Sequence, residues 1–152
     1  MLTGEVEHSL DSRGRLAIPR RFRASLEHGG FLTRSLEGCL LLFPFEEWRS
    51  MEEKLKRVPM TDLDGHVVKK FFTIGFDVFL DRQGRVLVPP TLRSYAGIES
   101  EVVLLGVTNV IEIWAKDRWV SYQGEQFQPE RIRKTARAVG LGEPPKGEAE
   151  QG

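Results

Sequence analysis

Asp11-Ser12-Arg13-Gly14-Arg15-Leu16-Ala17-Ile18-Pro19-Arg20-Arg21-Phe22-Arg23 returns seventy residues later as Asp81-Arg82-Gln83-Gly84-Arg85-Val86-Leu87-Val88-Pro89-Pro90-Thr91-Leu92-Arg93. Five of the thirteen positions are identical in register (Asp, Gly, Arg, Pro and the closing Arg), and most of the others exchange like for like. Further on, Gly38–Trp48 (GCLLLFPFEEW) parallels Asn109–Trp119 (NVIEIWAKDRW) at an offset of seventy-one, which aligns Leu42 with Ile113 and Trp48 with Trp119. Self-similarity on this scale is architecture. A unit of ~70 residues is near the lower limit for burying a core alone. Each copy is therefore expected to hide its apolar face against the other in one fused body.

The local signals within a unit are consistent. Glu5–Leu10 alternates and reads as a strand. Asp11-Ser12-Arg13-Gly14 has Asp first and Gly last, as a tight turn prefers, so Arg15–Ile18 is expected to return as the second strand of a hairpin. Pro19 lacks an N–H, stops the ladder and can open a helix, expected over 20–27 and ended by Gly29-Gly30. A second hairpin pairs Phe31–Arg34 with Cys39–Phe43. A helix over 45–58 gathers Trp48, Met51, Leu55 and Val58 on one stripe. Thr61-Asp62-Leu63-Asp64 resembles a capping box, with Asp in the usual Glu place, and opens a helix to about Phe76. Its apolar residues Val67, Val68, Phe71, Phe72 and Ile74 imply deep packing. The unit then restarts with a strand over 77–80, the turn, a strand over 85–88, a short helix closed by Gly97, and a hairpin over 101–114. A last helix over 129–139 places Ile132, Ala136 and Val139 on one side.

Composition narrows the function classes. The chain has 152 residues, 40% hydrophobic and 29% charged, which is ordinary globular composition. No apolar run approaches the ~20 residues of a membrane span, and the start shows no basic region followed by an apolar stretch. The single cysteine, Cys39, excludes an intrachain disulfide and fits a reducing compartment; a cytoplasmic location is expected. Its apolar neighbours suit a buried small hydrophobe rather than a nucleophile. Net charge is zero, from 22 basic and 22 acidic residues, which argues against a nonspecific nucleic-acid coat. The distribution is uneven, however. Residues 11–23 hold Arg13, Arg15, Arg20, Arg21 and Arg23 against Asp11, and residues 129–139 hold Arg131, Arg133, Lys134 and Arg137 against Glu130. A local basic face can still meet phosphate, because a partner senses potential within about 8–10 Å.

Catalysis would need convergent acids, bases or nucleophiles, and none stands out. His8, His28 and His66 lie far apart, outside any metal-binding spacing. No Gly-rich phosphate loop is present, and Trp48 and Trp119 read as core anchors. No enzyme activity, cofactor, metal or small-molecule substrate is expected. The repeated Asp-x-x-Gly-Arg element permits two readings. In one, Asp and Gly make the turn, Pro starts the helix and Arg pairs with Asp. In the other, the arginines present planar donor forks to phosphates or guanine edges from a two-stranded ribbon that fits the major groove.

The pattern Asp11-x-x-Gly14-Arg15-Leu16-x-Ile18-Pro19-x-x-Phe22-Arg23, with its second copy from Asp81 to Arg93 and on through Tyr95-Ala96-Gly97-Ile98, resembles the signature of AbrB-type bacterial DNA-binding domains. Short motifs of this kind also occur in antitoxin-like and sporulation regulators. Two copies in one chain, separated by paired helices and covering roughly residues 1–140, resemble the MraZ family of transcriptional regulators of the bacterial division and cell wall gene cluster. The resemblance implies an α+β fold in which two tandem AbrB-like β-hairpin units form an interleaved small β-barrel, an intramolecular pseudo-dimer, with packed helices. The expected organisation is a first repeat over 1–60, a connecting helix over 61–76, a second repeat with a C-terminal helix over 77–139 and a disordered tail over 140–152.

The resemblance further implies a repressor that binds tandem repeats of double-stranded DNA in its own promoter. It would assemble as a ring-like homo-oligomer to whose packing the middle helices contribute, and lie with the nucleoid, with no membrane partner. Arg13, Arg15, Arg20, Arg21, Arg82 and Arg85 are the expected DNA contacts. Asp11, Gly14, Pro19, Asp81, Gly84 and Pro89 are the motif residues that shape them. Gln83 replaces Arg13 in the second copy, so the halves are expected to contact DNA unequally. An oligomeric adaptor, with the arginines as interface pairs, is the competing reading.

Overall fold

In a computed structural model that describes residues 2–142, the strands pair across the repeats more than within them. The first repeat supplies β1 (Leu2–Ser9), β2 (Arg15–Ala17), β3 (Gly30–Arg34) and β4 (Leu40–Pro44), with the short helix α1 (Arg20–Arg23) continued by a 3-10 turn over Ala24–Leu26. It continues in the helices α2 (Phe45–Lys56) and α3 (Leu63–Thr73). The second supplies β5 (Phe76–Val78), β6 (Arg85–Leu87), α4 (Pro90–Ala96), β7 (Glu101–Thr108), β8 (Val110–Ala115), α5 (Lys116–Gln126) and α6 (Pro129–Ala138). The main sheet has the order β1-β7-β8-β4-β3-β5, and β2 pairs with β6 in a separate two-stranded ribbon. β5, β7 and β8 correspond to β1, β3 and β4 in the repeat, so the sheet reads the same from either edge. An approximate two-fold axis passes between β4 and β8.

The registers confirm this axis. Leu41 faces Glu112 at the centre of the β4–β8 pairing, and Leu16 faces Val86 at the centre of β2–β6. Gly30 pairs with Pro44 as Val102 pairs with Ala115, and Gly30 with Val78 as Val102 pairs with His8.

The expected first hairpin is corrected here. The turn after β1 does not lead into a hairpin with β2: only a bridge between Leu10 and Leu16 survives, β1 runs along β7, and β2 crosses to β6. A three-residue strand carries one inward side chain, and a lone hairpin of that size is marginal in water. Pairing with its copy brings Leu16 and Val86 together under cover. The main sheet by itself is not closed into a barrel. The sheet is open, with β1 and β5 as its edges.

The core nevertheless joins both copies. Leu16, Ile18, Phe22, Leu26, Leu40 and Leu42 belong to one cluster with Val86, Val88, Leu92, Ala96, Ile111 and Ile113. The sheet's other face carries a second cluster in which Phe31 stacks on Trp48 at 4.1 Å between ring centroids, with Leu55 of α2 and Phe72 of α3. α3 is not deeply packed as its sequence suggested. Phe72 is its one buried residue, while Leu63, Val67 and Val68 lie open to solvent. The helix is fastened by its C-terminal end, where the Thr33 hydroxyl donates to the Phe72 carbonyl at 2.8 Å and Arg34 donates to the Phe71 carbonyl at 2.9 Å. Its N-cap is Asp62, which accepts from the Gly65 N–H, one residue later than the capping-box pattern implied.

Among the described residues, 2–118 form one compact unit and 119–142 another. In the latter, Trp119 stacks on Tyr122 and meets Phe127 edge-on, whereas α6 buries no side chain. The expected disordered tail lies, from residue 143, outside the described residues. No helix among the described residues is long and apolar enough to cross a membrane.

Candidate nucleic-acid interface

Each repeated turn is built by one carboxylate oxygen. Asp11 Oδ1 accepts from the backbone N–H groups of Arg13 and Arg15, both at 2.9 Å, while Gly14 N–H closes back onto the Asp11 carbonyl at 3.0 Å. Asp81 Oδ1 likewise accepts from Gln83 at 2.8 Å and Arg85 at 2.9 Å. Gly14 and Gly84 have φ of +77° and +75°, the left-handed region that a side chain resists. Their carbonyls then reach across the axis: Val88 N–H donates to Gly14 and Ile18 N–H to Gly84, each at 2.9 Å. These bonds lengthen the ribbon beyond its three pairs, until Pro19 and Pro89, without N–H groups, end it and start α1 and α4.

Alternation along β2 and β6 sends Leu16 and Val86 inward. Arg15, Ala17, Arg85 and Leu87 face outward, and Leu87 is 53% exposed. On this outer face the second oxygens of the two aspartates meet both arginines. Arg85 donates to Asp81 Oδ2 at 3.1 Å and to Asp11 Oδ2 at 3.3 Å, whereas Arg15 lies 3.9 Å from each carboxylate, too far for a hydrogen bond. Asp11, Arg15, Asp81 and Arg85 thus form an alternating quartet about the two-fold axis. The Arg15 and Arg13 backbone N–H groups, with Arg15 and Arg85 nearby, hold the Asp11 carboxyl below its ordinary pKa against some desolvation. The Arg85 and Gln83 N–H groups and the Arg85 side chain do the same for Asp81. Both stay ionised at neutral pH.

The remaining expected contacts separate. Arg13 and Arg82 project from the two turns, and Arg20 stands at the start of α1; all three are exposed. Their side chains have no ion pair or hydrogen bond among the described residues. Arg21 is drawn instead to β1, where it reaches the Thr3 carbonyl at 3.4 Å. The fifth identity of the repeat, Arg23 and Arg93, has a role that was not read from the sequence. Arg23 donates to the Ile18 carbonyl at 2.8 Å and lies over Gly84 of the other copy, where a Cβ would sit 2.5 Å from its guanidinium carbon. Arg93 lies over Gly14 in the same way, at 3.1 Å. Each motif's closing arginine covers the other repeat's turn, and its fixed spacing from the turn in both copies was the available signal.

The residues suited to catalysis do not converge. His8 is on β1, His28 precedes β3 and His66 is on α3, and no cluster of His, Cys, Asp or Glu among the described residues could hold a metal. Cys39 is buried and donates to Ser35 Oγ at 3.0 Å. Burial pushes its thiol pKa up to about 12, as suits a small core residue.

The family described as "MraZ protein, putative antitoxin-like" matches the chain twice, over residues 1–70 and 71–141. Similar proteins are named Transcriptional regulator MraZ. The one from Pelotomaculum thermopropionicum is 46% identical over 126 residues, covering 82% of this chain and 87% of its own. Those from Clostridium tetani and Acetivibrio thermocellus are 39% and 41% identical, each covering 93% of this chain and all of theirs.

Proposed function

Since the chain belongs to the MraZ family, we propose that it is a sequence-specific DNA-binding regulator of transcription, and that the β2–β6 ribbon is its reading surface. One observation carries this reading: a two-stranded ribbon with Arg15 and Arg85 on its open face, related by the two-fold axis. The turns beside it present Arg13 and Arg82 with no partner on their side chains among the described residues. Ribbons of this width fit the major groove, and phosphate contacts from the turns would set their position. The protein represses its own operon in the division and cell wall gene cluster, working in the cytoplasm at the nucleoid.

A single ribbon spans little duplex, so affinity would come from several copies on tandem promoter repeats, where effective concentration replaces new contacts. A ring-like homo-oligomer meets that need. The open apolar side of α3, with Val67 63% exposed, supports such packing. The test is a gel shift with the DNA upstream of the protein's own gene, against scrambled duplex at two salt concentrations. A retained preference for the promoter at the higher salt is expected. Equal binding to both duplexes, or none, overturns the reading. In that event the pairing of Arg15 and Arg85 with aspartates favours the oligomeric adaptor.

A further inference from the structure

We propose that Asp11 and Asp81 are specificity-determining residues, which hold Arg15 and Arg85 neutral towards the phosphate backbone so that only a base-pair edge can engage them. The inference rests on the DNA-binding reading above. Closing the turn needs one oxygen of each aspartate, and Oδ1 does that alone, with two backbone N–H groups. Asn or Ser can supply such an acceptor. Oδ2 and the negative charge are therefore left over, and they point at the arginines of both copies.

The consequence is electrostatic. Two carboxylates and two guanidiniums alternate within 3.1–3.9 Å, so the quartet's charges cancel. A phosphate that approaches Arg15 or Arg85 also approaches a carboxylate and is repelled. A base-pair edge differs, because it can offer acceptors to a guanidinium and an amino donor to a carboxylate together. Arg13, Arg20 and Arg82, without acidic partners among the described residues, remain to hold the backbone. Phosphate contacts position and base contacts specify; the aspartates keep these tasks on different arginines. Specificity of this kind works by penalising the wrong partner.

The test uses the full-length chain carrying Asp11→Asn and Asp81→Asn, since Asn retains the turn's acceptor and removes the charge. Binding to scrambled duplex should rise about tenfold near 0.1 M salt for each additional phosphate that the unmasked arginines neutralise. The slope of log affinity against log salt should steepen by about 0.9 per phosphate. Promoter affinity should rise less, which narrows the preference, and the variant should leave a heparin column at higher salt. Adding Arg15→Gln and Arg85→Gln should abolish these increases. Scrambled-duplex affinity, salt slope and heparin elution all unchanged in a variant with wild-type circular dichroism would overturn the proposal. So would increases that persist without the arginines. If the double variant does not fold, Asp81→Asn alone gives the same readouts with the first turn intact. A wild-type protein with no preference for its promoter refutes the regulator reading, whereas the heparin shift independently decides whether the aspartates mask the arginines.

Discussion

Replacing Gly84 by Ala should cost more than replacing Gly14 by Ala, although the two glycines occupy equivalent turns. At both, a side chain enters the left-handed region, which costs about 1–2 kcal/mol. At Gly84 the new methyl would also sit 2.5 Å from the guanidinium carbon of half-buried Arg23. Arg23 would have to move and loosen its 2.8 Å bond to the Ile18 carbonyl, a charged hydrogen bond worth about 1.5–3 kcal/mol. Gly84→Ala should therefore destabilise by about 3–4 kcal/mol. At Gly14 the distance to Arg93 is 3.1 Å, a small displacement suffices, and Arg93 Nε has no hydrogen bond to lose; about 1–2 kcal/mol is expected. Urea unfolding resolves a gap of that size, since slopes near 1–3 kcal/mol per molar turn it into a midpoint shift of roughly 1 M. In an Arg23→Ala background the Gly84→Ala cost should fall to the backbone contribution alone. Equal costs at both glycines, or an undiminished cost without Arg23, would refute the idea that each motif's closing arginine seals the other repeat's turn.

Other perturbations probe different parts of the fold. A fragment of residues 1–60 should be unfolded or a swapped dimer by NMR and sedimentation, because β1, β2 and β4 find partners in the second repeat; a folded monomer would contradict this. Arg15→Ala and Arg85→Ala should leave the thermal midpoint nearly unchanged, as exposed pairs contribute little. Arg15→Ala should weaken promoter binding more in a titration, because Arg85 is held by two carboxylates. Asp11 and Asp81 have depressed pKa values in the folded state. Their stabilisation should be present above the unfolded value of about 3.9 and vanish as pH falls through the folded one, so Asp→Asn variants should melt earlier than wild type at pH 7 and together with it near pH 2. Glu112 has the opposite sign, since burial raises its pKa against a bond from Trp114. Glu112→Gln should raise the midpoint at pH 7, and that gain should disappear below about pH 4.

The turns and the proline helix starts were legible because they are local: Asp11 needs only the N–H groups two and four residues ahead, and Pro19 acts on its own peptide. The tandem repeat also revealed a body built from both halves. Partner choice was not legible. Arg15–Ile18 suits pairing with β1 or with its own copy equally well, and the decision comes from burying Leu16 against Val86 seventy residues away. The apolar residues of α3 showed helical spacing but not which of them a neighbour covers; only its C-terminal end has polar anchors, on Thr33 and Arg34. At the candidate site, the sequence identified Asp11, Arg15, Asp81 and Arg85 as two separate pairs. Their union into one quartet depends on the ribbon's register, which no stretch of either copy specifies alone.

Fusion of the two copies has a physical consequence on the axis itself. In a dimer of identical chains, a residue on the two-fold axis must face its own copy. A glutamate at the centre of the β4–β8 pairing would then meet a second glutamate across a half-buried strand pair, where like charges directly opposite destabilise. In the fused chain Glu112 faces Leu41 instead, and the Trp114 indole N–H holds its carboxylate at 2.8 Å. The same freedom operates on the outer face. The first turn carries Ser12 and Arg13 where the second carries Arg82 and Gln83, so the outward cations need not obey the symmetry that the Leu16–Val86 contact imposes inside. Paired interior positions keep the register, while the exposed turn positions are free to diverge.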